Sequence, residues 1–267
     1  MTFKGENYMI WIVYIVAGLG AGIVTGLAGL SAAVVITPLL VGICGWDSYD
    51  AVTVALASDV LASMLTSYTY YKNKNIDIKR GLLVGFTALL GTIVGSYCGF
   101  LFNEAQPGGL GYISMATTVF LGIKFLLKPI NGGYDGTNGE KPFSTGKTIL
   151  AMVCGLGIGW VCGFTGSGGG ILMLTVFTML LGYNLKVAVG TSTLIMTAVA
   201  FVGAVSHVSM GAEIYPGPMV LVVLTCLLGA RSAALFANKC DIEKLNRVIG
   251  CVLLILGAVT IFSKVNG

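Results

Sequence analysis

Long apolar runs separated by short polar segments dominate the chain. One charge-free run of 38 residues lies between Lys147 and Lys186, and another of 40 residues lies between Glu6 and Asp47. A single membrane-spanning helix needs about 20 apolar residues, and the alternating short segments of a membrane β-barrel are absent. The pattern predicts ten hydrophobic helical segments, approximately at 8–25, 28–44, 51–71, 81–102, 109–127, 147–164, 168–184, 187–210, 215–237 and 246–263.

The long polar linker at 128–146 divides these segments five and five. We therefore predict a first transmembrane repeat over 1–127, a cytoplasmic linker over 128–146 and a second transmembrane repeat over 147–267. The two halves also resemble each other, because GLAGLSAAVVITPLLVGICGW at 26–46 aligns without gaps on GFTGSGGGILMLTVFTMLLGY at 163–183. Internal repeats of this kind are typical of membrane transporters.

The composition agrees with a membrane location. Hydrophobic residues make up 56% of the chain and charged residues 10%, against about 25% charged residues in soluble domains. The fold class that we predict is all-α: a polytopic helical membrane protein. The seven cysteines are scattered without a CxxC pair, which favours small buried apolar residues over a metal or redox site. We expect no cofactor, and the net charge of +4 does not indicate a nucleic-acid partner.

The positions of the basic residues predict the topology. The loop KNKNIDIKR at 72–80 carries four positive charges, so we expect it in the cytoplasm. The regions 8–44 and 147–184 are each a pair of hydrophobic segments that contains glycines. If each pair enters and leaves the membrane on the same side, nearly all loop lysines and arginines are cytoplasmic. The halves then form an inverted repeat in the cell (inner) membrane, with multiple passes and both termini outside. Two full spans and a re-entrant hairpin fit this sidedness equally well.

The segment GFTGSGGG at 163–170 places five glycines inside apparent membrane span. An unpaired backbone amide in hydrocarbon costs several kcal/mol, so a broken helix must lie at the protein centre. A helix that begins near Ser167 to Gly170 would direct its free N–H groups into that centre, and such groups bind anions. The alternative is close helix packing through small residues. A nucleotide-binding loop is disfavoured because no βαβ pattern or Walker lysine accompanies the glycines.

This sequence resembles the sulfite exporter TauE/SafE family of membrane transporters. The resemblance rests on GFTGSGGGILMLT at 163–175, AVGTSTLIM at 188–196 and the two-half layout. It implies transport of small sulfur-containing anions: sulfite, thiosulfate, sulfonates and related organic anions. In the family a proline usually follows the glycine motif. Here Pro38 keeps that place in the first half and Thr175 replaces it in the second, while the first-half glycines are replaced by Leu30, Ser31, Ala32 and Ala33.

Polar residues within the spans complete the predicted site. The hydroxyls of α-helical Thr191, Ser192 and Thr193 could donate to an oxyanion or bond back to their own helix. Their first-half equivalent is expected at 55–58, which contributes Ser58, and Arg231 could bind the anion or snorkel to the cytoplasm. The predicted substrate-binding residues are Gly29, Ser31, Ser58, Gly166, Ser167, Gly168, Gly169, Gly170, Thr191, Ser192, Thr193 and Arg231.

Asp59 is predicted to lie about eight residues into its span, where a carboxylate is costly and indicates function. It could take up a proton and couple proton movement to transport, or make a structural hydrogen bond to a neighbouring serine or tyrosine.

Together these features predict a secondary transporter that works by alternating access, with the family resemblance favouring export. Its expected partners are a small anionic substrate, the lipid bilayer, and protons or another coupling ion. The alternatives are a passive anion channel and a non-transporting membrane subunit of a sulfur-metabolising complex. An enzyme is disfavoured because neither a metal-ligand cluster nor a nucleophile–base pair is apparent.

Overall fold

A computed structural model describes residues 8–127, 145–166 and 169–241, together with positions 243, 244, 247, 248, 250, 251, 254, 255 and 258. Nearly all of the predicted linker at 128–146 and most of the predicted tenth segment at 246–263 lie outside the described residues. Nine helices have both bounds within the described part of the chain. They are α1 (Tyr8–Ala28), α2 (Ala33–Cys44), α3 (Ser48–Lys72), α4 (Ile78–Ala105), α5 (Gly109–Leu127), α6 (Thr145–Thr165), α7 (Gly169–Thr175), α8 (Leu185–Ser209) and α9 (Pro216–Lys239).

These helices confirm a polytopic helical membrane protein. Among the described residues, six helices are long and apolar enough to cross a membrane: α1, α3, α4, α6, α8 and α9. The predicted segments at 28–44 and 168–184 are shorter helices than expected. The first begins only at Ala33, and in the second the seven-residue α7 continues into a π-helical turn over Val176–Leu180.

The two halves share a matching series of elements. Helices α1 and α6 each end one residue before a glycine in the left-handed region, Gly29 or Gly166, both with φ +64°. Helices α3 and α8 are both 25 residues long, and their N-caps are Asp47 and Asn184. Aligning the first residues of α3 and α8 places Gly190–Thr193 opposite Thr53–Leu56, two residues before the predicted 55–58 stretch.

Glycines allow close contact between the halves. Helix α1 packs along α9, and α4 packs along α6. A Cβ atom placed at Gly91 or Gly95 of α4 would collide with the backbone carbonyl of Leu156 or Trp160 in α6. Small residues allow helix backbones to approach in this way in membranes, so these glycines have the packing role that was the alternative for the GFTGSGGG motif.

Helices α3 and α8 run antiparallel through the centre of the bundle. Near the start of α3, Thr53 Oγ1 lies 3.4 Å from His207 Nδ1 near the end of α8. Just beyond the end of α3, the backbone N–H of Asp77 donates to Thr191 Oγ1, near the start of α8, at 3.0 Å. Helices α3 and α8 therefore point in opposite directions.

The two ends of the bundle carry opposite charges. At one end, Lys186 Nζ donates to the backbone carbonyl of Asn238, whose side chain also bonds to Asn75 in the loop after α3. That end carries the basic loop at 72–80. At the other end, Asp47, Asp50, Glu104 and Glu213 lie around one cavity. The charge separation agrees with the pattern that predicted the topology.

The pair formed by α1 and α2 starts and finishes at the acidic end. Tyr14, near the start of α1, makes an edge-to-face contact with Trp46, which follows α2, at 6.0 Å between ring centroids. Helix α2 has only 12 residues, or about 18 Å at 1.5 Å per residue. Such a helix is too short to cross the hydrocarbon layer of about 30 Å, so the geometry resembles a hairpin more than two full spans.

Candidate functional site

The two helix breaks meet at the centre of the protein. The hydroxyl of Ser31, in the break between α1 and α2, donates to the backbone carbonyl of Gly166, after α6, at 2.7 Å. Gly170 packs so closely on the backbone of Gly29 and Leu30 that an added Cβ would collide with it. The predicted residues Gly29, Ser31, Gly166 and Gly170 are thus brought together from the two halves.

The break in the second half lies within the glycine motif, as predicted. Helix α6 ends at Thr165 and α7 begins at Gly169, while the predicted site residues Ser167 and Gly168 lie outside the described residues. Gly169 is buried, and a Cβ placed on it would lie 2.9 Å from Cys162 Sγ and 3.3 Å from Met196 Sδ. In this conformation the described glycines of the motif are closed off by neighbouring residues, so a ligand could reach them only after movement.

The predicted hydroxyls of α8 lie beside the first-half break but are already bonded. A Cβ on Gly29 would lie 2.8 Å from Ser192 Oγ and 3.1 Å from Thr193 Cγ2. Ser192 and Thr193 both donate to the carbonyl of Val189, at 3.0 and 2.9 Å. A hydroxyl has one proton to donate. Back-bonding, the alternative given above, is therefore what these two residues do in this conformation.

Three other predicted site residues either already make hydrogen bonds elsewhere or lie exposed on the surface. Ser58 is buried and donates to Val54 within its own helix at 2.8 Å. Thr191 accepts from the backbone N–H of Asp77 and so serves the loop at the basic end. Arg231 lies exposed on α9, a position that suits the snorkelling alternative, and its part in anion binding stays a prediction.

Asp59 lies beside the first-half break, in the middle of α3 rather than eight residues into the span. Its side chain is 0% exposed. Ser63, one turn further along α3, donates to Asp59 Oδ1 at 3.3 Å. The side chains of Thr25 and Ser31 and the backbone N–H of Ala32 also face the carboxylate. The serine contact confirms the structural hydrogen bond that was one of the two alternatives for this residue, and the ion-coupling alternative stays a prediction.

A polar cluster at the basic end was missed in the sequence. Tyr183, after the π-helical turn, donates to Asp77 Oδ2, and Arg80 Nη1 lies 2.6 Å from the same oxygen. Partial burial opposes ionisation of Asp77, but the bonds from Tyr183 and Arg80 outweigh it and lower the pKa of the Asp77 carboxyl. The three-residue spacing of Asp77 and Arg80 could have been noticed on a helix, whereas Tyr183 is brought in only by the fold.

A cavity of about 830 Å³ opens at the acidic end of the bundle. Its aromatic walls include Trp46 and Tyr215, whose ring centroids are 4.7 Å apart. Tyr49 lies at the cavity and stacks on His207 at 4.2 Å. His207 Nε2 in turn lies 3.1 Å from the carbonyl of Gly163 in the glycine motif. A chain of contacts therefore connects this cavity with Gly163 in the last turn of α6, just before the second-half break.

Within the described part of the chain, no three His, Cys, Asp or Glu side chains are grouped as metal ligands. The described residues of the candidate site offer backbone groups, hydroxyls and one carboxylate.

Comparison with known proteins agrees with this architecture. The chain is 26% identical over 272 residues to "Probable membrane transporter protein YunE" of Bacillus subtilis (strain 168), covering 96% of this chain and 99% of that protein. It is 25% identical over 242 residues to "Probable membrane transporter protein YdhB" of the same strain, covering 90% and 96%.

A third relative is archaeal: "Probable membrane transporter protein MJ0441" of Methanocaldococcus jannaschii is 23% identical over 211 residues, with 75% of this chain and 73% of that protein covered. No solved structure matches the chain. The family profile described as "Sulfite exporter TauE/SafE" matches residues 14–260. The chain therefore belongs to the TauE/SafE family of membrane transporters.

Proposed function

We propose that this transporter carries a small sulfur-containing anion, such as sulfite, thiosulfate or a short organosulfonate, and exports it by alternating access. The observation that carries the proposal is the contact between the two helix breaks, where Ser31 of one half bonds to the Gly166 carbonyl of the other. Broken helices at the interface of two repeats are where secondary transporters bind substrate. The family supplies the substrate class.

The architecture that supports alternating access is an inverted repeat. The matching elements of the halves, and the antiparallel course of α3 and α8, are what such a repeat would produce. Rocking of one half against the other would then open the two ends in turn. The basic end faces the cytoplasm of the cell, by the positive-inside rule, and both termini lie outside.

The substrate site is the region around the two breaks. Backbone N–H groups of Leu30 and Ser31 in the first-half break and of Gly169 and Gly170 at the start of α7 are its donors, because the first turn of a helix leaves such groups without helical partners. The N–H groups of Gly29 and Gly166 already donate to the carbonyls of Thr25 and Cys162. Ser192 and Thr193 lie against Gly29 and can contribute only if their bonds to Val189 are exchanged for the anion. Since Gly169 and Gly170 are buried, substrate binding requires the halves to separate at this point.

Asp59 binds the coupling ion in this proposal, and a proton is the simplest ion that it can take. The carboxylate is buried beside Ser31, so its charge would oppose a nearby anion. Neutralising Asp59 removes that repulsion and links the two binding events.

The proposal is tested with purified full-length protein, first by binding. A ligand of the folded state raises the melting temperature. Sulfite, thiosulfate or a short sulfonate, added as choline salts, is expected to raise it more than chloride at equal ionic strength. Failure of all three anions to exceed chloride would contradict the assigned substrate class.

Transport is then measured in liposomes with the wild type and two variants. Gly169→Val places a branched side chain against Cys162 and Met196 and is expected to abolish flux while the protein stays inserted. Gly157→Val is the control, because Gly157 lies exposed on α6 with open space around its Cβ position. Normal flux by Gly169→Val would contradict the site.

The same assay separates the alternatives. Saturable flux with counterflow identifies a carrier, and flux far above carrier rates identifies a passive channel. No flux by the inserted wild type would support a non-transporting subunit.

A further inference from the structure

The oxygen atoms around Asp59 form a compact buried cluster at the first-half break. Thr25 comes from α1, Ser31 from the break itself, and Asp59 and Ser63 from α3. All four side chains are between 0% and 1% exposed. Three separate stretches of chain therefore converge on one carboxylate in the interior of a membrane protein.

Hydrogen bonding leaves this cluster incompletely satisfied. Thr25 Oγ1 and Asp59 Oδ2 are both fully buried. The Thr25 side chain faces the carboxylate, but no contact of either atom with the described residues has the distance and angles of a hydrogen bond. The bond from Ser63 to Asp59 Oδ1 is 3.3 Å long, whereas O–H···O bonds are usually about 2.7–2.8 Å. A buried polar oxygen without a partner is costly and calls for an explanation.

The charge of the cluster identifies the kind of ligand that would satisfy it. The described part of the chain offers no ion pair to Asp59, and no lysine, arginine or histidine faces it. One carboxylate balances one positive charge. A divalent ion would leave an excess charge in a medium of low dielectric constant, where isolated charge is strongly disfavoured. Hydroxyl and carboxylate oxygens are ligands for hard cations.

The local backbone also favours a cation. Helix α1 ends at Ala28, and the C-terminal end of a helix carries partial negative charge. In transporters with broken helices, such ends and the unwound backbone are where coupling cations bind. The N–H of Ala32 faces the same carboxylate, but a carboxylate has about four lone-pair sites and can serve both an amide and a cation.

We propose that Thr25, Ser31, Asp59 and Ser63 form a binding site for a small monovalent metal cation of the size class of Na⁺. This inference rests on the proposed function in one respect, since it names a metal cation rather than a proton as the coupling ion at Asp59. The cation places positive charge beside Ser31, which bonds directly to Gly166 of the other break. It would therefore favour an anion at the junction of the two breaks.

The test is a melting-temperature titration of purified full-length protein with sodium chloride against choline chloride at equal ionic strength. Sodium is expected to raise the melting temperature saturably, by about 5 °C at saturation, while choline does not. Thr25→Val and Ser63→Ala are expected to raise the sodium concentration at the midpoint of this titration at least tenfold. Thr25→Ser, which keeps the hydroxyl, is expected to leave that concentration unchanged. Ser96→Ala is the matched control, because it removes a buried hydroxyl outside this cluster.

Equal curves in sodium and choline chloride, or an unchanged sodium midpoint in both Thr25→Val and Ser63→Ala, would overturn the cation site. If either variant fails to fold, the wild-type comparison of the two salts still decides.

Anion binding is measured separately with choline salts. A sodium response without any response to sulfur anions would overturn the proposed substrate while the cation site stands. The reverse result would overturn the cation site alone and leave a proton as the ion at Asp59.

Discussion

The hydroxyl of Tyr183 donates to Oδ2 of Asp77 at 2.5 Å, across two connectors that are 106 residues apart in the chain. Tyr183 follows the broken-helix pair of the second half, and Asp77 precedes α4 of the first half. Arg80 Nη1 also contacts Tyr183, at 3.3 Å. The cluster therefore fastens one half to the other at the basic end of the bundle.

Loss of this fastening is expected to loosen the basic end. Tyr183→Phe removes the hydroxyl but keeps the ring, and a hydrogen bond to a charged group contributes about 1.5–3 kcal/mol. The Asp77 side chain is 17% exposed, so we expect about 1 kcal/mol and a melting temperature lower by about 2–4 °C. Thiol labelling of a cysteine introduced near the basic end should also become faster.

Tyr97→Phe is the matched control, because Tyr97 is exposed on α4 and has no hydrogen bond among the described residues. Equal melting temperatures for Tyr183→Phe and the wild type would contradict a fastening role.

The same cluster predicts a pH dependence of stability. The pKa of Asp77 is lowered from its ordinary value of 3.8, because the Tyr183 and Arg80 bonds outweigh the cost of burial. A group with a lowered pKa stabilises the fold above its ordinary pKa, and this contribution is lost as pH falls through the lowered value. The melting-temperature difference between wild type and Asp77→Asn is therefore expected to be constant at neutral pH and to shrink below 3.8. A difference that grows in acid would contradict this assignment.

Left-handed glycines provide a test of the break itself. Gly29 and Gly45 have nearly the same positive φ, +64° and +68°, which L-residues adopt at a cost of roughly 1–2 kcal/mol. Nothing lies within 4 Å of a Cβ placed at Gly45, whereas one at Gly29 would meet Ser192 Oγ at 2.8 Å. Gly45→Ala should therefore lower stability by about 1 kcal/mol, and Gly29→Ala by more, with impaired flux.

The paired substitution separates backbone strain from contact at the break. If Gly29→Ala and Gly45→Ala have the same stability and the same liposome flux, the contact of Gly29 with α8 is unimportant.

Close packing of α4 on α6 predicts a folding defect. Gly95→Val would drive a branched side chain into the Trp160 carbonyl, and membrane helices depend on such small-residue contacts for association. We expect Gly95→Val to lose most monodisperse protein in detergent gel filtration. Gly157→Val, which faces open space on α6, should elute like the wild type. A normal elution profile for Gly95→Val would mean that the interface can adjust.

Sequence patterns predicted those features of the fold that depend on the residues of a single helix. Apolar runs identified the long helices, and the Gly29–Gly166 alignment identified two breaks that the structure places in contact. The glycine-rich motif predicted an interruption because no other residue so readily adopts the positive φ of Gly166. These features depend on local composition and on the low polarity of the membrane.

Side-chain partners across helices could not be predicted in the same way. Ser63 is four residues from Asp59 and could have been noticed, since residues at that spacing share a helix face. Thr25, by contrast, reaches Asp59 from α1, and Tyr183 reaches Asp77 from the other half of the chain. The two alternatives for Arg231, anion binding and snorkelling, could not be separated from the sequence because the helix face that it occupies depends on which neighbours α9 packs against.

The charge of the cavity at the acidic end affects the local concentration of anions. Its walls include Asp47, Glu104 and Glu213, and no lysine or arginine is among its lining residues. Like charges deplete anions from such a mouth relative to bulk solution, within a Debye length of about 8 Å at physiological ionic strength. If the transporter releases its anion here, as proposed, this potential opposes the return of the anion, and added salt weakens the opposition.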